Sequence, residues 1–562
     1  MNLPEQLATA GFTPEQKEYL VGLFAGVAAR GKSFADLEPA NVPSTEALIF
    51  EERVKRELHP LDAYDQIVEN AAGNLAPDKE DTFRFKWNGL FYLSPVKNAF
   101  MARLRIPGGV VKTYQLRELA RIATELTTGY VQITTRANFQ LRLIEPKNAP
   151  EFLRRIQAAG LHTRGAGADN IRNLTANPTA GVDPVELIDV LPLVNDLAQL
   201  IINDRAFYDL PRKFNIAYDG GGLIGSVEDT NDIGVKAIRL NEEILFRVAL
   251  GGATGHKAFA RDLGVVVPPP EINKVVLAIV RVFIELGCRS NRKRARLKHL
   301  LETITLEEYL GHIEKKLGRQ LRRAPYAPAQ MRWSSQELPH SHIGDFPQKQ
   351  HGLNYVGVGL PAGQITPRQM LRVAELADNY GSGEIRLTVW QNFIIPNVPD
   401  TYVQTLKQAL EKAGLRTRQS HVASGVVACT GNRFCKYAQS DTKSHALELT
   451  RWLEKRVTLD SPVNIHLTGC PNSCAQHYMG DIGCLGTKSH GEDAYHVFVG
   501  GGFGKHQSVG RQIFAGIRAT ELPNTLEKLL KLYLNRRHGH ETFQEFTIRH
   551  EIRRLQELFA EM

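Results

Sequence analysis

Six cysteines occur in the 562 residues, and five of them fall between 429 and 484. Four make a pattern: Ala-Cys429-Thr-Gly-Asn-Arg-Phe-Cys435, then, after a long gap, Thr-Gly-Cys470-Pro-Asn-Ser-Cys474. Zinc knuckles and ribbons favour closer pairs, so the C-x5-C spacing matches zinc poorly. Four soft thiolates suit a [4Fe–4S] cluster, and the small residues beside each cysteine let backbone N–H groups approach cluster sulfides. On spacing alone zinc and inert buried thiols stay open. A disulfide scaffold would instead scatter cysteines through a small secreted domain. Cys288 and Cys484 fit no ligand pattern and read as small buried residues.

The second chemistry-bearing set is cationic. The chain carries 69 Lys+Arg against 60 Asp+Glu, a net charge of +9, which implies an anionic ligand or partner without naming it. Four motifs concentrate such residues: Arg103-Leu-Arg105-Ile-Pro, Thr134-Thr-Arg136-Ala-Asn138-Phe-Gln140, Asp169-Asn-Ile-Arg172-Asn and Leu210-Pro-Arg212-Lys213-Phe-Asn215. The planar fork of arginine suits carboxylates and oxyanions. The densest basic run, 289–298, reads as a solvated helix face. It lacks interleaved aromatics and any nucleic-acid motif, which argues against nucleic acid as a partner. Two glycine clusters, 220–225 and 500–504 with Lys505, suggest phosphate loops. However, His506 stands where a Walker A motif needs Ser or Thr, and no dinucleotide fingerprint is present. Both read as tight strand-to-turn segments.

The elements that must position these residues are duplicated. The segment 103–163 recurs without a gap at 357–417; Pro107 and Pro361 set the offset at 254. The same offset pairs Gln115 with Gln369, Asn138-Phe139 with Asn392-Phe393 and Gly160 with Gly414. So long a period means a duplicated domain rather than a solenoid. Each unit reads strand–helix–strand–helix, with Thr113 as N-cap, Pro150 in a first turn and Gly160 at a helix end. The second copy has Gly357 for Arg103 and Trp390-Gln391 for Arg136-Ala137, so one face is expected to be active. The intervening 164–345 and following 418–562 read as mixed α/β. Residues 83–92 read as a strand-like entry, and 51–57 as a solvated face within a helix-rich extension. Hydrophobic content of 43% is that of an ordinary globular protein. The most apolar stretch, 275–284, is broken by Arg281, so no membrane span is expected. The first residues resemble neither a signal nor a transit peptide, which points to the cytoplasm.

The two cysteine pairs, with Thr-Gly-Cys-Pro-Asn-Ser-Cys, resemble the signature of the siroheme nitrite and sulfite reductases, and the duplicated units resemble that family's half-domains. The resemblance covers roughly 85–562 and implies an α+β, three-domain siroheme reductase architecture. It has two pseudo-two-fold-related ferredoxin-like repeats (85–165 and 346–420) and two mixed α/β domains for siroheme and cluster (166–345 and 421–562), behind a helical extension (1–84). It further implies that Cys429, Cys435, Cys470 and Cys474 hold the cluster, and that Cys474 also bridges to the siroheme iron. Arg103, Arg172, Lys213 and Asn215 would meet the substrate. Arg105, Arg136, Asn138, Gln140, Arg292, Arg296 and Asn472 would contact siroheme. With no flavin or nicotinamide module of its own, such a chain takes electrons from another protein. An acidic carrier such as ferredoxin fits its positive charge.

In this family the sulfite branch tends to Lys-x-Lys where this chain has Lys213-Phe-Asn215, the pattern of the nitrite branch. One cation fewer weakens the pull on a sulfite dianion more than on a nitrite monoanion. The implied reaction is six-electron reduction of nitrite to ammonium, in an assimilatory setting and by a monomer. Sulfite-to-sulfide reduction is the alternative. An iron–sulfur sensor using its basic run on nucleic acid would be a different class.

Overall fold

The computed structural model describes residues 48–92, 95–96, 98–127, 129, 131–324, 342–418 and 420–562, apart from the side chain of Lys505. The chain forms two compact units, 1–53 and 54–562. Of the first only 48–53 are described, so most of the expected helical extension lies outside the described residues.

The larger unit is α+β and carries four five-stranded sheets. Two are built by the repeats, and each borrows a strand from the other. Val110–Lys112 joins the second repeat's sheet, Val111 facing Ile385, while Gln364–Ile365 joins the first, Ile365 facing Val131. Helices Thr113–Glu125 and Pro367–Tyr380 pack on one another, and both repeats share one apolar core that runs from Leu104 and Phe139 to Val358 and Phe393. The exchange makes the pseudo-two-fold pair a single body, since neither sheet is complete alone.

Each repeat holds two strands more than the expected strand–helix–strand–helix: the short exchanged one and one that follows the central strand. Phe139–Ile144 lies between Phe100–Arg103 and Val131–Ile133. It is nearly all buried, so the alternation of a half-solvated strand is missing. Its buried Arg142 is satisfied by Gln132 and Gln140. The N-cap falls at Lys112 rather than Thr113, whose hydroxyl bonds Asp378 Oδ1 at 2.6 Å. Pro150 and Gly160 stand where expected, in the first turn and just past the end of Ala149–Ala158. Residues 79–88 are helical rather than a strand, because Asp78 caps Lys79–Arg84 and Gly89, at φ 72°, ends the turn that follows; only Leu90–Phe91 pairs. In the expected solvated face, Lys55 is buried and paired with Asp209 at 2.8 Å.

The other two sheets reveal a second duplication that the sequence reading missed. Ile216–Asp219, Ile233–Leu240 and Glu243–Leu250 correspond to Ile465–Thr468, Ile482–Ser489 and Glu492–Val499, at an offset of 249. In both, the first two strands run parallel and the next pair is antiparallel. The hydrogen bonds correspond as well. Asn215 N donates to Asp232 Oδ2 (2.8 Å) and Asn464 N to Asp481 Oδ2 (2.7 Å). Gly220 N donates to Asn177 Oδ1 (2.6 Å), and Gly469 N to Cys429 Sγ (3.1 Å). A parallel pair cannot close with a tight turn, so each half throws out a long crossover, 220–232 in the first and 469–481 in the second. The second crossover carries Cys470 and Cys474; at the same places the first has Gly221 and Gly225. The glycine cluster 220–225 opens the first crossover, and 500–504 follows strand Glu492–Val499, both at strand ends as expected. Among the described residues no helix is long and apolar enough to cross a membrane.

Candidate functional site

A cavity of about 610 Å³ opens where the first repeat meets both crossover-bearing domains. The first repeat contributes its hairpin turn, with Arg136 and Asn138 between strands Val131–Ile133 and Phe139–Ile144, and Gln140 just beyond. Thr134 Oγ1 and Leu104 O hold the Asn138 amide, and Thr135 Oγ1 donates to Cys474 O at 2.9 Å. The turn is therefore latched to the cysteine-bearing loop.

The cavity gathers Arg103, Arg136, Arg172, Lys213, Asn215, Arg292, Arg296, Asn138, Gln140, Asn472, Cys429 and Cys474 from segments distant in sequence. Arg105 is not among its lining. It is buried behind the wall, with Nη1 donating to Ile171 O at 3.0 Å. Cys435 and Cys470 also stand back from the cavity surface. Cys470 nevertheless feels the charges of Cys429, Cys435 and Cys474, so the four lie together. Burial pushes its thiol up to about 11, a penalty that a bound cation would relieve. Cys474 is the exposed member, at the cavity wall. Among the described residues no three His, Cys, Asp or Glu side chains converge on one ion. A cubane places its four sulfur ligands at separate corners, so the quartet fits a cluster better than a single zinc. Of the other two cysteines, Cys484 is buried as expected, whereas Cys288 is half-buried, 3.6 Å from Ser290 Oγ.

The cationic wall is held from behind by carboxylates. Arg292 donates to both oxygens of Asp169 at 2.7 and 2.8 Å, and Arg212 approaches the same carboxylate at 3.6 Å. Arg296 reaches Asp232 at 2.7 and 3.1 Å. The basic run is therefore not a single solvated helix face: it opens in a short turn, Arg292–Arg294, from which Arg292 and the following Arg296 face inward while Lys293 and Arg294 stay exposed. Removing Arg296 would strand a fully buried carboxylate. For Arg296→Leu the expected cost is about 3–5 kcal/mol, read as a lower apparent Tm; an unchanged Tm would refute the pairing.

No Asp or Glu lines the cavity among the described residues, while nine Lys and Arg side chains do. Arg172 donates to Ala166 O (2.9 Å) and Ala168 O (2.7 Å), but its buried Nε has no partner. Arg103 lies over the Phe91 ring at 4.7 Å. Burial, reinforced by Arg296, pulls the Lys213 ammonium down to about 7. Such crowding of buried cations is unfavourable without anions. A polycarboxylate macrocycle such as siroheme, with an oxyanion beside it, supplies what the wall lacks.

Sequence reasoning missed three wall residues. His256, pulled down to about 4 by burial and Arg296, stays neutral, and its signal lay in the loop correspondence with 500–506. Gln391 makes two 3.0 Å hydrogen bonds to the backbone of Ala428 and so fixes the strand leading to Cys429. Lys443, beside Cys429 with its ammonium on Ala362 O, is pulled down to about 7 by burial, and no motif marks it.

Comparison with known proteins agrees with this geometry. The family model "Nitrite and sulphite reductase 4Fe-4S domain" matches residues 167–321 and 422–562. The model "Nitrite/Sulfite reductase ferredoxin-like half domain" matches 94–159 and 346–413. Each thus matches both halves of one duplication. Ferredoxin–nitrite reductase of Synechococcus elongatus is 36% identical over 87% of this chain and 97% of its own length. The chloroplastic enzyme of Arabidopsis thaliana is 33% identical over 86% of each. Sulfite reductase [ferredoxin] 1 of Mycolicibacterium paratuberculosis is 30% identical over 89% of this chain and 94% of its own length. The solved structure of Mycobacterium tuberculosis NirA protein superposes with a TM-score of 0.84, at 28% identity, over 93% of this chain and 98% of that one. Siroheme and a [4Fe–4S] cluster are the cofactors of this group of oxidoreductases, and the four cysteines and cationic cavity fit them. With both models matched in duplicate and relatives aligned over most of their length, the chain belongs to the nitrite and sulphite reductase family.

Proposed function

We propose that the chain reduces nitrite to ammonium with electrons from reduced ferredoxin, consuming six electrons and eight protons and releasing two waters. The observation that carries this reading is the cavity wall at Lys213 and Asn215: one cation and one neutral amide, with Cys474 on the same cavity. The similarity to ferredoxin–nitrite reductases at up to 36% identity, against 30% for the sulfite reductase, supports the same anion.

In this reading Cys429, Cys435, Cys470 and Cys474 would hold the cluster, and Cys474, on the cavity wall, would also serve the siroheme. Arg136, Asn138, Gln140, Arg292, Arg296 and Asn472 would contact the macrocycle, and Arg105 supports the wall from behind. When bound, the coupled pair supplies electrons one at a time at an iron coordination site. The chain's own residues do the rest. Arg103 and Arg172 bind the oxyanion and offset charge on its oxygens as electrons arrive. Lys213 Nζ, with its acidity near neutrality, donates protons to departing oxygens and is recharged from water. Asn215 binds without adding charge. Domains divide as 85–165, 166–345, 346–420 and 421–562. The protein acts as a cytoplasmic monomer, and its net positive charge attracts the acidic donor.

Steady-state kcat/KM for nitrite and for sulfite with the same reduced ferredoxin tests the anion. Nitrite is expected to win, and Asn215→Lys to shift the ratio about tenfold or more toward sulfite. A higher kcat/KM for sulfite in the unaltered protein would overturn the reading.

A further inference from the structure

The second duplication implies a second cavity, and one of about 200 Å³ is present. It shares no lining residue with the first. Position by position, its walls are the counterparts of the cationic cavity. Pro462 stands for Lys213, Asn464 for Asn215, Met479 for Thr230, and Trp390 for Arg136. Leu223-Ile224-Gly225 stands for Asn472-Ser473-Cys474. At these positions cations have become apolar and aromatic side chains, and the thiol has gone. The wall keeps His506 and Lys236, the latter paired with Glu228, so it lacks the cationic crowding that suits an anionic macrocycle.

One acidic feature was kept. Asp481 corresponds to Asp232, but Asp232 is neutralised by Arg296 at 2.7 Å, whereas Asp481 accepts from Asn464 N at 2.7 Å. Burial pushes Asp481 up to about 7. Asn464 is itself 7% exposed, and its buried Oδ1 makes no hydrogen bond. Beside them Glu228 is paired with Lys236 at 3.4 Å. The remaining wall includes Ile224, Met479 and the Trp390–Phe503 edge-to-face pair, with ring centroids 5.7 Å apart. The apolar part of this wall takes an apolar body. One acceptor without a donor among the described residues, Asn464 Oδ1, and a buried carboxylate with no ion pair among them, next to aromatic rings, favour a cation that carries N–H groups.

We propose that this cavity binds a small organic ammonium ion, its body among Ile224, Trp390 and Phe503 and its ammonium donating to Asp481 and Asn464 Oδ1. The assignment rests on the second duplication and is independent of which anion the first cavity reduces.

The test uses the full-length holoprotein with benzylammonium chloride and its uncharged counterpart, benzyl alcohol, titrated calorimetrically. Benzylammonium binds with one-to-one stoichiometry, about tenfold or more tighter than the alcohol, as a charged hydrogen bond predicts. Saturating nitrite does not displace it. Asp481→Asn removes the preference for the cation, and Ile224→Phe, which fills the space, removes binding of both. Cofactor absorbance verifies that each variant is folded. Equal affinity for the two probes, no binding of benzylammonium, displacement by nitrite, or unchanged binding in Ile224→Phe each overturns the proposal. The two-probe comparison decides even where Asp481→Asn does not fold.

Discussion

Cys474→Ser is expected to lose the cluster absorbance and the siroheme bands together, while Cys288→Ser keeps both. Cys474 is the exposed member of the quartet and stands on the cavity wall, where Thr135 holds its carbonyl. A serine hydroxyl is a hard donor, weakly acidic, and replaces a soft thiolate poorly. If one sulfur serves both metals, its loss disconnects them as well as weakening the cluster. Cys288 is half-buried near Ser290 and Asn291, in the segment leading to the basic turn, and lines neither cavity. The measurement is an absorption spectrum with iron and siroheme quantified per chain. Retention of full siroheme and normal bands in Cys474→Ser would remove the shared-sulfur assignment.

Lys213→Met is expected to lower kcat/KM for nitrite by about 10²–10³-fold, the usual worth of a positioned acid combined with charge stabilisation. Lys213 stands between Arg172, Arg212 and Arg296, and burial with those charges holds it near 7. Below that pH the ammonium is present and can donate; as pH rises through it the proton is lost, so kcat/KM should fall on the alkaline side. Bound anionic carboxylates favour the ammonium and move that limb upward, to 7 or above. Lys213→Arg keeps the charge but cannot titrate in this range. Its rate should be lower and its alkaline limb absent. A pH profile in Lys213→Arg identical to that of the unaltered protein would falsify the proton-donor role.

Several features were legible from residue order because they are local or strongly spaced. The cysteine pattern marks a candidate metal site wherever the chain folds, since ligand type and spacing survive any packing. The repeat at an offset of 254 residues was legible because its turn and cap residues, such as Asn138 with Asn392 and Gly160 with Gly414, are constrained by hydrogen bonding and backbone geometry. The loss of Arg103 in the second copy has a steric cause visible only in three dimensions. A Cβ at Gly357 would stand 2.0 Å from His342 O, leaving no room for any side chain.

By itself, then, the sequence pointed to four candidate ligand cysteines and determined one duplication and the cationic character of one copy. The tertiary structure decided which cations face the cavity. Arg103 and Arg105 are two residues apart, yet only Arg103 lines it. Arg105 lies where the chain has left the strand and pairs with His162, its guanidinium turned to a backbone carbonyl. It also decided that Arg292 and Arg296 point inward, because two buried aspartates hold them there. The 249-residue duplication was hidden for a physical reason. Its two copies kept the backbone hydrogen bonds and Asn215/Asp232 with Asn464/Asp481, while the side chains lining each loop diverged. Equivalence carried by main-chain pairing leaves little trace in residue identity, and only the fold brings it into view.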